Sequence, residues 1–252
     1  MIAFVVVGLA VILMITMPVV AWMSAQPPAA AQPAFTATAA PSTSDPATRT
    51  EDPSPAPTAS PAAPNPSESE SRSLLDAIPA LSGSLASDYD RALFGQAWYD
   101  EDGNGCDTRN DILRRDLTDL NIKADSNGCK VLEGVLVDPY SLETIAFTSG
   151  TDTSVLVQID HLIPLAWAWR HGADAWSDDQ RRAFANDPAN LKATDGSLNM
   201  SKSDSGPADW MPPAREAHCA YAEDFVSVLS DWDLPIGDAD RRALEIALDR
   251  CP

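Results

Sequence analysis

Histidine and cysteine, the residues that most often bind zinc, are scarce in this sequence of 252 residues. It has three histidines and four cysteines, and no two of the cysteines form a C-x-x-C pair. Structural zinc modules commonly take their thiolates from such pairs. The pattern therefore argues against a zinc knuckle, and the only imidazoles are those of His161, His171 and His218.

Basic residues are absent before Arg49, and the segment from Ile2 to Met23 carries no charge at all. At ~1.5 Å rise per residue a helix of this length spans ~33 Å, close to the hydrocarbon core of a bilayer. A cleavable signal peptide has a basic n-region and a shorter apolar core. We therefore expect residues 1–24 to be a transmembrane anchor in the cell membrane, with a cleaved signal peptide and secretion as the alternative.

Aromatic residues are also absent, except for Phe35, from the stretch rich in Pro, Ala, Ser and Thr between Gln26 and Ser71. Such a composition cannot bury enough apolar surface to offset the entropy of ordering the chain. We expect residues 25–72 to be a disordered linker. Residues 73–252 then form one folded domain, because this length supports a single core.

The four cysteines, Cys106, Cys129, Cys219 and Cys251, form an even set behind an export segment. This favours two disulfides in an oxidising compartment, so the domain is expected to lie outside the cytoplasm. The simplest pairing is sequential, Cys106 with Cys129 and Cys219 with Cys251, although three connectivities are open to the sequence. In the chain-entropy model each bond stabilises the fold by ~3–4 kcal/mol.

The net charge of −20 argues against long-range attraction of nucleic acids. The basic residues are not spread evenly, however, because 11 of the 17 fall within residues 106–215. Any nucleic-acid chemistry must therefore depend on a metal ion and on local arginine and lysine side chains at short range.

Hydrophobic spacing predicts a mixture of helices and strands beyond Ser73. The strands are expected at 131–137 and 144–147, which pair as a hairpin, at 155–159, and at 190–194. The helices are expected at 107–120, 164–170, 178–185, 198–203, 214–229 and 239–250.

The segment from Gln158 to Pro213 contains the residues with the clearest chemical pattern. Its first strand ends in Asp160-His161, and Pro164 stops that strand. A later strand starts at Asn190, and a helix then carries Asn199 and Lys202 one turn apart. Two strands and a helix therefore bring a carboxylate, an imidazole, two amides and an ammonium group toward one region.

Hydrolysis of a phosphodiester bond needs an activated water, a sink for the charge on the phosphorus, and fixed geometry. A neutral imidazole such as that of His161 is a suitable general base near pH 7. A hard divalent cation held by the Asp160 carboxylate and the Asn199 amide oxygen can bind the scissile phosphate. Lys202 lies on the same helix face as Asn199 and can neutralise developing charge.

This pattern resembles that of the HNH, or His-Me finger, nucleases, in particular a group of bacterial exported HNH endonucleases. It is also similar to the C-terminal part of some modification-dependent restriction enzymes. Further shared motifs run from about Asp88 to Cys251: Tyr89-Asp90-Arg91, Phe94-Gly95, Gly105-Cys106-Asp107-Thr108-Arg109, Asp138-Pro139-Tyr140, Phe184-Ala185-Asn186-Asp187 and Trp210-Met211-Pro212-Pro213.

The resemblance implies a ββα-metal core in which His161 is the general base and Asp160 and Asn199 hold the metal. Asn190 would bridge the backbone and hold the loop that bears His161. Two positions depart from the pattern: Asn199 replaces the last histidine, which favours oxygen ligation, and Ser203 stands where Gly is expected, which affects the local backbone.

Several other residues have a structural and a functional interpretation. Arg109 follows Cys106 closely in the sequence. Its position is equally consistent with contact to a substrate phosphate and with a structural ion pair. His171 and His218 are interpreted as ordinary polar residues. The tryptophans at 167, 169, 176 and 210 are interpreted as core residues rather than as a base-stacking surface.

An acidic stretch matches the first half of a calcium-binding loop. Asp100-x-Asp102-x-Asn104-Gly105 has the required spacing, but the twelfth position is Asp111 instead of Glu. The sequence therefore predicts either a weak Ca²⁺ site at Asp100, Asp102 and Asn104 or an acidic turn.

Taken together, these patterns predict an α+β domain with a ββα-metal core wrapped by helices and stapled by disulfides. We expect a monomeric, metal-dependent endonuclease that uses Mg²⁺ or Mn²⁺ on DNA in preference to RNA. Its site would comprise His161, Lys202, Asn190 and Arg109 with the metal ligands Asp160 and Asn199. The alternative is a catalytically inactive, surface-anchored binding module on the same fold, which the acidic composition favours.

Overall fold

Two antiparallel sheets and seven α-helices make up the part of the chain that this computed structural model describes, residues 66–83 and 85–252. The helices are α1 Pro66–Ala77, α2 Thr108–Asp116, α3 Leu165–Arg170, α4 Asp178–Asn186, α5 Gly196–Lys202, α6 His218–Asp231 and α7 Asp238–Leu248. The strands are β1 Leu117–Ile122, β2 Val131–Val137, β3 Thr144–Thr148, β4 Val157–His161 and β5 Leu191–Asp195. The α+β class is confirmed.

Helix α1 begins inside the predicted linker of residues 25–72, and the boundary predicted at residue 73 cuts through it. Ser71, Leu75 and Ile78 are buried. Leu75 and Ile78 belong to the larger of the two hydrophobic clusters of the domain. The predicted membrane segment at residues 1–24 and most of the linker lie outside the described residues. Within the described ranges, no helix is both long and apolar enough to cross a membrane.

The first sheet has the order β1-β2-β3, and its β2–β3 hairpin confirms the predicted pairing. The prediction of one helix through Leu120 is wrong, because α2 ends at Asp116 and β1 starts at Leu117. Leu117 pairs with Leu136 of β2. The spacing of apolar residues fits a helix, but pairing with a strand some twenty residues later overrides this local preference.

The second sheet consists of β4 and β5, which pair from Val157 opposite Asp195 to His161 opposite Leu191. Helix α5 follows β5 without a loop and returns toward β4. Gly196 permits this turn, because a Cβ at this position would lie 2.0 Å from the backbone oxygen of Val155. The close approach brings α5 against the strand that ends in Asp160-His161.

Two hydrophobic clusters meet at the end of β4. The larger cluster is formed mainly by helices and includes Leu162, Trp167 and Phe225. The smaller cluster joins α2 to the sheets and includes Ile159 and Val157. Asp160 and His161 lie between Ile159 of one cluster and Leu162 of the other, so the strand end is held from both sides.

Both disulfides follow the sequential pairing that was the simplest of the three connectivities. Cys106 is bonded to Cys129 and Cys219 to Cys251, with Cα atoms 5.2 Å and 5.0 Å apart. The first bond ties the start of α2 to the turn before β2. The second joins α6 to the chain just beyond α7, so it closes the C-terminal helix pair.

Candidate functional site

A cavity of about 350 Å³ opens at the end of β4 and beside α5. Three of the predicted site residues line it: Asp160, His161 and Asn199. The other lining residues are Tyr89, Arg91, Trp98, Ile159, Pro164, Leu165, Ala166, Ser203 and Asp204. Lys202, Asn190 and Arg109 are not part of its wall. We call this cavity the cleft.

The imidazole of His161 is held in one tautomer by a carbonyl group. Its Nε2 lies 2.9 Å from the backbone oxygen of Ala185. A carbonyl oxygen only accepts, so Nε2 carries the proton and donates, which leaves Nδ1 with a free lone pair in the neutral ring. Ala185 lies in the last turn of α4, where carbonyl groups lack helical partners and are available to such donors.

His161 is only 9% exposed, and its surroundings keep it neutral. Its pKa is lowered from 6.5 to about 3, chiefly by burial and in smaller part by the positive charges of Arg91 and Lys202, against the opposing effect of the Ala185 carbonyl. The neutral imidazole has a free lone pair on Nδ1, the atom through which a general base acts.

Asp160 is buried at the floor of the cleft, where two side chains bind its carboxylate. The Nζ atom of Lys202 lies 3.1 Å from Oδ1 and 2.9 Å from Oδ2, and the hydroxyl of Tyr140 donates to Oδ2 at 2.7 Å. Burial raises the pKa of Asp160, while Lys202 and Tyr140 oppose that shift. The three groups form one buried polar unit.

Lys202 has a different environment from the one predicted. Its side chain is 0% exposed, and its ammonium group also donates to the backbone oxygen of His161 at 2.7 Å. An ammonium group in this position contacts the protein on all sides and does not face the cleft. Its contacts are with Asp160 and His161, whereas the sequence predicted that it would neutralise charge on a phosphate.

Asn199 is held with its amide in a defined orientation. Its Nδ2 donates to Oε1 of Gln158 at 2.8 Å, and Nε2 of Gln158 donates to the Val155 carbonyl at 3.4 Å. This chain of donors commits the amide nitrogen of Asn199 to Gln158. Its Oδ1 is therefore the atom available to a cation or to a water in the cleft.

Asn190 makes the backbone contacts that were predicted for it. It is completely buried, its Oδ1 accepts from the backbone nitrogen of Ile163 at 2.8 Å, and its Nδ2 donates to the Ile163 oxygen at 3.2 Å. The backbone oxygen of Asn190 accepts from Leu162. These bonds fix the chain directly after His161.

Arg109 lies behind the wall of the cleft. Its guanidinium donates to the Val157 carbonyl at 3.1 Å and lies 6.0 Å from the centroid of the Trp98 ring. Arg109 also interacts electrostatically with Asp107. Through Trp98, Arg109 shapes the cleft wall.

Sequence reasoning assigned no role at this site to Arg91, Trp98, Gln158 or Tyr140. Arg91 is the only basic residue between Arg72 and Arg109, a signal that could have marked it. Tyr140 lies in the quoted Asp138-Pro139-Tyr140 motif, but its contact with Asp160 spans 20 residues and depends on the fold. Gln158 shares the strand with Asp160 and offered no separate signal.

The residues of the predicted calcium loop lie close together, and Nδ2 of Asn104 donates to Oδ2 of Asp111, the twelfth position, at 3.2 Å. Carboxylate oxygens of Asp100 and Asp102 accept from backbone and side-chain nitrogens of Asn104 and Gly105, as in an acidic turn. Among the described residues, one group of three His, Cys, Asp or Glu side chains has its ligand atoms within 4.8 Å of one another. It consists of Cys219, Glu223 and Cys251. The sulfurs of Cys219 and Cys251 form a disulfide, so this group offers no thiolate to a metal.

The other histidines and the tryptophans have structural contacts. The ring of His171 stacks on Trp167 with centroids 3.4 Å apart, and His218 bonds to the Pro212 carbonyl. All four tryptophans interpreted as core residues are buried in the larger cluster or packed against it. The interpretation of the tryptophans is confirmed.

Comparison with known proteins agrees with one of the two resemblances. Residues 107–244, more than half of the chain, match the family described as GmrSD restriction endonucleases, C-terminal domain. An "Uncharacterized secreted protein" of Arthroderma benhamiae is 36% identical over 183 residues, which cover 72% of this chain and 84% of that protein. No solved structure matches the chain significantly. The similarity to restriction enzymes is confirmed, while membership of a bacterial exported HNH group stays a prediction, and this relative is fungal.

Proposed function

We propose, on the premise that this chain belongs to the family of GmrSD restriction endonuclease C-terminal domains, that it is an endonuclease which hydrolyses phosphodiester bonds outside the cytoplasm. One observation carries the proposal. A neutral imidazole with its Nδ1 free, the Asp160 carboxylate and the Asn199 amide oxygen line a single cleft. The order β4, β5, α5 that presents them is the order of a ββα-metal core.

The donor set fits a hard divalent cation such as Mg²⁺ or Mn²⁺. Lys202, Tyr140 and the backbone amide of His161 all contact the Asp160 carboxylate, which also lines the cleft and would be the charged ligand of the metal there. Asn199 offers an amide oxygen, and Mg²⁺ is commonly held by one or two protein carboxylates with water and phosphate completing its shell. When bound, such a cation would polarise the phosphoryl oxygens and stabilise the leaving oxygen.

The protein residues divide the remaining work. His161 accepts a proton from the attacking water at Nδ1, while its Nε2 stays bonded to the Ala185 carbonyl. Arg91, which lines the cleft and forms no ion pair with the described residues, binds a phosphate of the substrate. Lys202, Tyr140 and Asn190 hold Asp160 and His161 in place, so they act as positioning residues.

The location follows from two observations. Both pairs of cysteines are disulfide-bonded, which is typical of proteins in oxidising compartments. The relative from Arthroderma benhamiae is described as secreted. We therefore propose that this chain lies outside the cytoplasm. We also propose that its preferred substrate is DNA and not RNA.

One observation favours the alternative of an inactive binding module. Lys202 neutralises Asp160 inside the protein, and a carboxylate that already has a cationic partner attracts a metal less strongly. In that case the cleft would bind nucleic acid without cleaving it. A measurement of turnover and binding on the same preparation separates the two functions.

The test is a plasmid-nicking assay with Mg²⁺ or Mn²⁺, with and without a chelator. The wild-type protein should nick the plasmid only with metal, and His161→Ala should lose ~10²–10⁴-fold in turnover, the usual contribution of a general base. His218→Gln is the matched control, because His218 lies outside the cleft. Wild-type turnover in His161→Ala would refute the assignment, and metal-dependent binding without cleavage by the wild type would establish the binding module.

A further inference from the structure

Two non-glycine residues of the cleft wall, Trp98 and Ser203, have a positive φ, and Trp98 is the bulkier of the two. Its φ is +57°, in the left-handed region that bulky side chains rarely occupy. Such a conformation persists where the surrounding structure enforces it, and it is concentrated at functional sites. Trp98 is half-buried and lies on the wall of the same cleft as His161.

Two contacts hold the indole in this position. The Arg109 guanidinium lies over the ring, 6.0 Å from its centroid, and is itself bonded to the Val157 carbonyl on β4. The ring also packs against the smaller hydrophobic cluster. A large aromatic surface is thus fixed beside the reacting groups by a cation that is anchored to the catalytic strand.

The cleft has the size for one nucleotide, and its wall carries one cation, Arg91, beside the carboxylates of Asp160 and Asp204, the second of which is paired with Arg170. Its volume of about 350 Å³ lies at the lower end of the range for small-ligand sites, ~300–1,000 Å³, which is too small to enclose a duplex. Arg91 supplies a cationic group in the same wall for a phosphate, and Tyr89 adds a second aromatic side chain. A base can stack on an aromatic ring only when it is not stacked within a duplex.

We propose that the cleft recognises an unpaired nucleotide, with its base stacked on Trp98 and its phosphate on Arg91, so that the substrate class is single-stranded nucleic acid. This inference rests on the proposed nuclease function and narrows its substrate. Arg109 does not touch the nucleotide and acts by holding Trp98.

The test measures binding of a short fluorescent DNA strand and of the same strand annealed to its complement, by anisotropy with Mg²⁺. The protein is the full chain with His161→Ala, in which cleavage is expected to be ~10²–10⁴-fold slower. The single strand should bind more tightly. Trp98→Leu should weaken its binding by about 5- to 150-fold, the loss expected when one stacked base is released, with little effect on the duplex.

Two variants control for folding and position. Trp98→Phe keeps an aromatic ring and should retain most of the preference for the single strand. Tyr99→Ala removes the neighbouring aromatic residue, which packs on Arg182 outside the cleft, and should change nothing. Near-ultraviolet circular dichroism checks that each variant is folded.

The outcomes for the two proposals differ. If Trp98→Leu weakens binding to both DNA forms equally, or to neither of them, the stacking inference is overturned. The proposal of a nuclease function does not depend on that outcome. If the strand preference depends on Trp98 but the wild type cleaves no DNA, stacking is supported and the nuclease proposal fails. Absence of binding to both forms would overturn the stacking inference, while the nicking assay on the wild type decides the nuclease proposal.

Discussion

Replacement of Lys202 by Met tests the idea that this residue positions the site from the interior. The variant leaves the Asp160 carboxylate, which is 4% exposed, with Tyr140 as its only side-chain donor. Removal of one partner from a buried ion pair typically costs ~3–5 kcal/mol, because the remaining charge is uncompensated. For a folded region of this size we expect the melting temperature to fall by roughly 6–20 °C.

The loss should depend on pH in a defined direction. Burial already raises the pKa of Asp160, and Lys202 opposes that shift, so its removal raises the folded-state pKa further. Above the unfolded-state pKa of ~3.9 the unfolded chain releases this proton while the folded variant retains it. The stability of the variant should therefore fall relative to wild type as the pH rises from about 4 until the raised pKa is passed.

Urea unfolding at several pH values measures this effect, with the double variant Asp160→Asn, Lys202→Met as the control. The change of Asp160 to Asn removes the buried charge, so the double variant should be more stable than Lys202→Met alone. Its loss of stability relative to wild type should no longer depend on pH. The argument is refuted if Lys202→Met unfolds within about 1 kcal/mol of wild type, well below the cost of an unpaired buried charge.

Three further predictions follow from the same geometry. Because the pKa of His161 is lowered to about 3, the pH–rate profile of turnover should show no inflection near pH 6.5. The free energy of unfolding should fall as the pH drops from 6.5 toward 3, where only the unfolded chain binds this proton. A step at pH 6.5 in the pH–rate profile would contradict the first expectation. Gly196→Ala would place a Cβ 2.0 Å from the Val155 oxygen and displace α5, so nicking activity should fall more than after Ser197→Ala on the exposed side of the helix. Replacement of both Cys219 and Cys251 by Ala opens a loop of 32 residues and should cost ~3–4 kcal/mol in urea unfolding; an unchanged midpoint would refute the stabilising role of this bond.

Local patterns in the sequence predicted the elements that carry the site. The Asp160-His161 strand end, the following helix α3 and the placement of Asn199 on α5 depend on residues close together in the chain, where spacing and proline act directly. Asn190 was interpreted as a residue that holds the loop after His161, and its bonds to Ile163 agree with that interpretation.

Long-range packing decided the features that the sequence did not reveal. Leu117 became a strand residue because β2 offered it a partner, which no local window contains. Ser203, where Gly was expected, adopts a φ of +52°, so the fold keeps the backbone conformation that favours glycine and imposes it on a serine.

The character of the site was decided in the same way. A lysine on an amphipathic helix is usually solvated, and only the meeting of α5 with β4 buries Lys202 against Asp160. The sequence by itself determined which chemical groups are present and their order along the chain. The tertiary structure decided which of them face the cleft and which support it, because burial and hydrogen bonding depend on partners that are distant in the sequence.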